Sequence, residues 1–438
     1  MTIDTDRVER ALTARLEPEA GRPLAVAFSG GGDSLALLLI AKAWAARIGR
    51  PVIALTVDHR LQVQSGEWAA WCAARAAGLG VAHQSLVWDG PKPATGLASA
   101  ARQARHRLIA EAARRAGARV VLFGHTADDI LEARRMRKAG VGVSAPTEWS
   151  PSPVWPEGRG LFILRPLIGA RRAAIRAWLS GRGETWIDDP ANEDMRQPRA
   201  RARADAADGV VEPVSVRQMD PPMADPSVIG PAGDISLPVA EWRDLPNRVL
   251  WLGAAVASAA GGQTPPRRAA LERITARLAA NERVVSTLGG ARVVLDRGLL
   301  VIARETGDSR GRACRPLTLR AGEHQVWDGR FEVRANEPGL TLSALRGHAA
   351  KLDAGQRTRL SAIHPVARAA LPALIDPAGV VACPTLAPDP RAEIRCLVPG
   401  RLAGAIGAID SEARIGLYDR EGEEGSWPRS TTATSCRT

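Results

Sequence analysis

Residues 29–34 read Ser-Gly-Gly-Gly-Asp-Ser, between an apolar run ending at Phe28 and a second, helically spaced run starting at Leu35. Backbone N–H groups in a first helical turn lack partners, and the helix dipole adds positive charge, so such a turn attracts phosphate. Gly30, Gly31 and Gly32 would let an anion approach the backbone, and Ser29 and Ser34 would add hydroxyl donors. A plain strand-to-helix turn, capped by Asp33 or Ser34, would use the same residues with no ligand. Two phosphate loops are excluded by spacing. The chain contains no Gly-Lys pair, and Gly32 is followed by Asp33-Ser34 rather than by the spacing G-x-G-x-x-G requires.

A second stretch, GHTADDILEARR (124–135), concentrates acids. Thr126 and Asp129 have capping-box spacing, and Asp128 and Asp129 would suit the positive end of a helix, so a structural reading accounts for three of its polar residues. Glu132 adds something further. It shares a helical face with Asp129, and two carboxylates beside a nucleotide site could hold Mg²⁺ or clamp a substrate ammonium. Arg102 and Arg105 pair in the same way on an Arg-rich helix, either as a solvated face or as contacts to phosphate. Arg196, Arg199, Arg201 and Arg203 follow the turn DDPANED (188–194) and could grip a phosphate backbone or begin a charged linker.

Alternating strands and helices must position these groups. LAVAF (24–28), PVIALTVDH (51–59), VAHQSLVW (81–88) and ARVVLFGH (118–125) read as strands, with helices over 33–48, 65–79, 97–117 and 127–140. That alternation predicts an α/β fold with a parallel sheet, whose ligands sit beyond the carboxyl ends of the strands. Phe28, Asp58 and His125 lie at such ends. The expected organisation is a nucleotide-binding domain over 1–205 and a linker over 206–236, rich in Pro, Asp, Ser and Gly. A helical segment with a β-hairpin turning at Asp296-Arg297-Gly298 follows over 237–305, then a mixed region over 306–438 whose last dozen residues are expected to be disordered.

The formal net charge of +12 suits a polyanionic partner such as RNA, although only four of 59 basic residues are lysine, as a GC-rich coding bias would also produce. No apolar run reaches membrane-spanning length, and the charged N-terminus does not read as a secretory signal. The five cysteines (Cys72, Cys314, Cys383, Cys396, Cys436) form no C-x-x-C pair, which points to a reducing, cytoplasmic setting. Cys72, among helical alanines, reads as a packed core thiol, and His83, His324, His348 and His364 read as structural.

The S-G-G-G-D-S stretch resembles the pyrophosphate (PP) loop of ATP pyrophosphatases, which split ATP into AMP and pyrophosphate to activate a substrate oxygen. VDHRL (57–61), ARQARH (101–106), GHTADDILE (124–132), LRPL (164–167) and DDPANED followed by RARAR (199–203) come after it in order. Together they resemble the bacterial tRNA(Ile)-lysidine synthase family, closely over about residues 20–205 and more weakly to 305. The chain departs from the family pattern at Thr126, where a second histidine is usual, at Ile130 and Ala133 within the acidic motif, and at His106.

The resemblance implies an adenine nucleotide alpha hydrolase-like (PP-loop) domain, followed by a small helical domain and a mixed α+β region. It implies ATP as co-substrate with Mg²⁺, free L-lysine and tRNA(Ile) with a CAU anticodon as partners, and room for a homodimer. On this pattern Ser29, Gly30, Gly31, Gly32, Asp33, Ser34 and Arg105 bind ATP, and Asp33, Asp129, Glu132 and His125 serve catalysis. Asp33 and Asp129 are the metal-ligand candidates, and Arg196, Arg199, Arg201 and Arg203 contact tRNA. The alternatives are tRNA thiolation by a related PP-loop enzyme, small-molecule amide ligation, and a degenerate tRNA-binding protein.

Overall fold

The computed structural model describes residues 2–140, 146–151, 159–188, 228–262, 265–307 and 314–418. These divide into two compact units, one within Met1–Asp220 together with Ile409–Leu417, the other within Pro221–Ala408 together with Tyr418.

The first unit is built on a six-stranded sheet. Its strands are β1 (Leu24–Ala27), β2 (Val52–Asp58), β3 (Ala82–Val87), β4 (Val120–Leu122), β5 (Trp149–Pro151) and β6 (Phe162–Leu164), in the order β3-β2-β1-β4-β6-β5. All neighbours pair in parallel except β5, which runs antiparallel to β6. The order reverses at β1: its chain crosses to β2 on one side, while β4 pairs on the other. Crevices at such reversals are where open α/β sheets bind ligands.

Between positions 3 and 188 the described residues form the helices α1 (Thr5–Arg15), α2 (Gly32–Arg47), α3 (Ser65–Gly78), α4 (Leu97–Arg115), α5 (Ala127–Lys138) and α6 (Arg172–Ser180) around the sheet. The helix α2 is buried around most of its circumference, through Leu35, Leu37, Leu38, Ile40 and Trp44. A helix so enclosed cannot shift easily, so its N-terminus is a fixed point. Ala25, Leu55, Val121 and Phe123 from the sheet pack with Ile109 and Ala113 of α4 in one core.

The segment Ile409–Leu417 returns to this unit from the far end of the chain. Glu412 accepts a fork of bonds from Arg50 at 2.7 and 2.6 Å and one from the Glu17 amide at 3.0 Å. Both side chains are sealed from solvent. Sequence had assigned these residues to the C-terminal region.

The second unit holds an antiparallel sheet of Ile235–Pro238, Leu299–Arg304, Ala291–Asp296 and Val284–Leu288, helices Arg248–Ala259 and Arg268–Ala279, and two further small sheets. The strand Ile235–Pro238 begins inside the segment expected as linker. Its apolar Ile235 and Leu237 are buried, which the flanking Pro and Gly concealed. The hairpin turns through Arg297 (φ 48°) and Gly298 (φ 79°), two successive left-handed residues as a tight primed turn needs.

Candidate active site

The phosphate-loop candidate joins β1 to α2. Gly30 adopts φ +79°, and a Cβ there would lie 2.5 Å from Ile187 Cδ1 and 2.9 Å from Cys72 Sγ. The Ile187 amide donates to the Gly30 carbonyl at 3.0 Å. Glycine is therefore required at position 30 for both conformation and space. The Ser34 hydroxyl donates to the Gly31 carbonyl at 2.9 Å and accepts from the Ser29 amide at 3.2 Å. Its single proton is thus committed, so Ser29 is the donor in the 3.2 Å contact between the two hydroxyls. Ser34 braces the loop from inside. Gly32, Asp33 and Ser34 form the first turn of α2, where N–H groups have no intrahelical acceptor.

The segment after β4 lies against this turn. A Cβ on Gly124 would come within 3.0 Å of the Asp33 carbonyl oxygen and 3.2 Å of the Ser34 nitrogen. Thr126 caps α5. Its amide and hydroxyl both donate to Asp129 Oδ2, at 2.8 and 3.0 Å, within a complete capping box. The structural reading of this stretch holds, and the same carboxylate also belongs to a larger cluster.

At the centre of that cluster is Arg172, the first residue of α6. Its Nε reaches Asp33 Oδ2 at 3.1 Å, its Nη1 reaches Glu132 Oε1 at 3.1 Å, and its Nη2 lies 3.8 Å from Asp129 Oδ2. Its backbone amide donates to Asp128 Oδ2 at 2.7 Å, and Arg171 pairs with Asp128 Oδ1 at 3.1 Å. Burial opposes the charge on Arg172, but Asp33, Asp129 and Glu132 outweigh it and raise its pKa. Burial pushes the Asp33 carboxyl up from its ordinary value, with Arg172 opposing and Asp129 reinforcing the shift. Asp33 Oδ1 is buried with no hydrogen-bond partner among the described residues.

His125 stands beside this cluster, stacked on Phe123 with ring centroids 5.9 Å apart. Arg165 donates to its Nδ1 at 3.2 Å. Burial first, then the charge of Arg165, holds the imidazole pKa down near about 3, with Asp129 pulling the other way. Arg105, on α4, lowers the proton affinity of His59, His106 and His125 through space, which places its charge at the same end of the sheet. Cys72 is buried beneath the loop, and desolvation pushes its thiol up to about 11.

The structure thus brings Ser29, Gly30, Gly31, Gly32, Asp33 and Ser34 together with Asp129 and Glu132, with His125 alongside. Arg196, Arg199, Arg201 and Arg203 lie outside the described residues.

Residues 4–208 match the family model for the PP-loop domain. The tRNA(Ile)-lysidine synthase of Caulobacter vibrioides is 48% identical over 414 residues, covering 93% of this chain and 99% of that one. The chain belongs to the tRNA(Ile)-lysidine synthase family. The lysidine synthase of Hyphomonas neptunium is 36% identical over 68% of this chain and 86% of its own length, and that of Rhizobium meliloti is 35% identical over 74% and 75%. Among solved structures, the U34-tRNA thiolase NcsA of Methanococcus maripaludis, with its [4Fe-4S] cluster, overlaps 45% of this chain and 71% of that one. Its TM-score of 0.38 at 12% identity is too loose a superposition to inform function.

Within this lysidine synthase family member, the residues that sequence reasoning missed are Gly124, Arg165, Arg172 and Ile187. Arg165 lay inside the quoted LRPL motif, and Arg172 followed it closely. Neither stood out in an Arg-rich chain, because nothing local shows which guanidinium meets which acid.

Proposed function

We propose that this chain joins free L-lysine to C2 of the wobble cytidine of tRNA(Ile) with a CAU anticodon, consuming ATP and releasing pyrophosphate and AMP. The observation that carries this reading is the meeting of the glycine loop with Asp33, Asp129 and Glu132 around one buried guanidinium. The cytosine C2 oxygen attacks the α-phosphorus of ATP, and the bond to pyrophosphate breaks. The lysine ε-amine then attacks C2, and AMP leaves with the former C2 oxygen.

The residues divide this work by their chemistry. First-turn N–H groups of α2 and the Ser29 hydroxyl would hold the departing pyrophosphate. Asp33, Asp129 and Glu132 converge on one Arg172 guanidinium, and carboxylates that hold one cation in this way supply the acceptors that a second, the lysine ammonium, requires. The nucleophilic amine must lose its proton before attack, to a cluster carboxylate or to His125.

Mg²⁺ characteristically takes one or two carboxylate oxygens and completes its shell with phosphate and water. The buried, unpartnered Asp33 Oδ1 fits such a cation, whereas Asp129 Oδ2 is engaged by its own helix cap. When bound, the ion would neutralise phosphate charge. No group of three or more His, Cys, Asp or Glu side chains suited to a metal occurs among the described residues.

Arg105 is proposed to contact ATP. Arg196, Arg199, Arg201 and Arg203, with the second unit, are proposed to hold tRNA. A cytoplasmic location fits the substrates, and no described helix is long and apolar enough to cross a membrane. Cys72 is the sole cysteine before position 314 and is sealed under the loop, so no specific observation favours thiolation.

Labelled lysine, ATP and a CAU-anticodon tRNA(Ile) transcript provide the test. Label should enter the RNA in proportion to AMP formed. Label from a sulfur donor entering the RNA in place of lysine would reject the proposal.

A further inference from the structure

The geometry points to a specific role for His125: it is held as the neutral tautomer with its proton on Nε2, and that N–H donates to a phosphoryl oxygen of the adenylate, so His125 is not the base that deprotonates lysine. This rests on the function proposed above and assigns a step that sequence had left open.

Arg165 decides which ring nitrogen carries the proton. A guanidinium has donors and no acceptor, so the 3.2 Å contact from its Nε to His125 Nδ1 requires a lone pair on Nδ1. A neutral imidazole with Nδ1 as acceptor carries its proton on Nε2. Arg165 cannot readily turn away, because its Nη1 also donates to the Thr147 carbonyl at 2.9 Å and to Ser150 Oγ at 3.1 Å. The ring itself is fixed by stacking on Phe123, which His106 meets from another side with centroids 5.3 Å apart.

The surroundings also keep the ring neutral. The charged groups that act on it are Arg165, Arg105, Arg102 and Asp129, and the ring in turn lowers the proton affinity of His106. Three are cations and one is an anion that forms part of a helix cap, so protonation of the ring is disfavoured. A base must offer a lone pair, and the lone pair of this ring is occupied by Arg165. What remains is Nε2. It has no hydrogen-bond partner among the described residues, yet it is not one of the sealed, orphaned polar atoms. It is the ring's remaining N–H donor.

The chain places His125 next to the nucleotide loop. Gly124, its immediate neighbour, sits against the Asp33 carbonyl and the Ser34 nitrogen. Negative charge develops there on the α-phosphoryl group during cytidine adenylation, and the same group departs with AMP. A fixed neutral donor stabilises such charge without having to be deprotonated first.

Two measurements test this. With ¹⁵N-histidine protein, a two-bond ¹H–¹⁵N spectrum should show His125 protonated on Nε2 and unchanged from pH 6 to 8. A proton on Nδ1, or titration near neutrality, would overturn the tautomer whichever amino acid the enzyme transfers. The second compares His125→Gln, whose amide N–H falls near the Nε2 position, with His125→Asn, whose amide falls near Nδ1. Pyrophosphate release is followed with tRNA and ATP in the absence of lysine. The Asn variant should lose about 10²- to 10³-fold, as removal of one transition-state donor does, and the Gln variant should retain more. Equal losses in both variants, or normal pyrophosphate release with only the lysine step impaired, would overturn the donor role. A wild-type enzyme that adenylates tRNA but accepts no lysine would refute the proposed function and leave the tautomer standing.

Discussion

Replacing Arg172 with methionine removes a cation and leaves a side chain of similar length. In the native protein the guanidinium lies 3.1 Å from Asp33 and from Glu132 and 3.8 Å from Asp129. Unit charges 3.1 Å apart attract by about 5 kcal/mol at an effective dielectric constant of about 20. Desolvation cancels much of that, and removing one partner of a buried pair typically costs about 3–5 kcal/mol. We expect a loss in this range for the folded first unit near pH 8.

The loss should also depend on pH. Burial already raises the Asp33 carboxyl, and Arg172 restrains the rise. Without Arg172 the folded-state pKa climbs further above the unfolded value. Between those two values the native state binds more protons than the unfolded state, so stability falls as pH rises. The deficit of Arg172→Met against wild type should therefore be larger at pH 8 than at pH 5. Urea unfolding at both pH values measures it. An equal or larger deficit at pH 5, or none at all, would show that Arg172 does not neutralise these acids.

Other consequences follow from single contacts. Gly30→Ala places a methyl at φ +79° and 2.5 Å from Ile187 Cδ1, so the loop must distort, and calorimetric ATP affinity should fall at least tenfold. Glu412→Ala leaves the sealed Arg50 guanidinium uncompensated, at a cost of about 3–5 kcal/mol, and limited proteolysis should then cut within 409–417. Cys72, buried and with its thiol pushed up to about 11, should resist iodoacetamide at pH 7.5 in the native protein and react once the chain is unfolded.

Much of the first unit is legible because local chemistry and fold agree there. Strands β1, β2 and β4 are apolar runs bounded by polar turns, and α2, α3, α4 and α5 begin within a residue of their expected starts. The Thr126–Asp129 cap could be read from spacing alone because both partners lie in one turn. The three-residue strands β5 and β6 carry too little periodicity to announce themselves.

Pairings set by tertiary structure are not legible. Arg50 and Glu412 are 362 positions apart, and Arg172 meets Asp33 across 139. With 59 Lys and Arg residues in the chain, neither arginine is marked by its neighbours. The candidate site was therefore visible as a set of acids and glycines. The guanidinium that organises the acids, and the hydrogen bond that fixes the His125 tautomer, emerge only when α6 and β6 are brought beside α5 and β4.

We propose that the glycine loop activates cytidine and that the acid cluster then delivers lysine. Mass analysis of the wobble nucleoside tests it most directly, after incubating wild-type protein with ATP, Mg²⁺ and the CAU-anticodon transcript, with and without lysine. An AMP adduct of cytidine is expected without lysine, and its replacement by lysidine once lysine is added. An unmodified cytidine under both conditions, or lysine found on any other nucleotide, would contradict it.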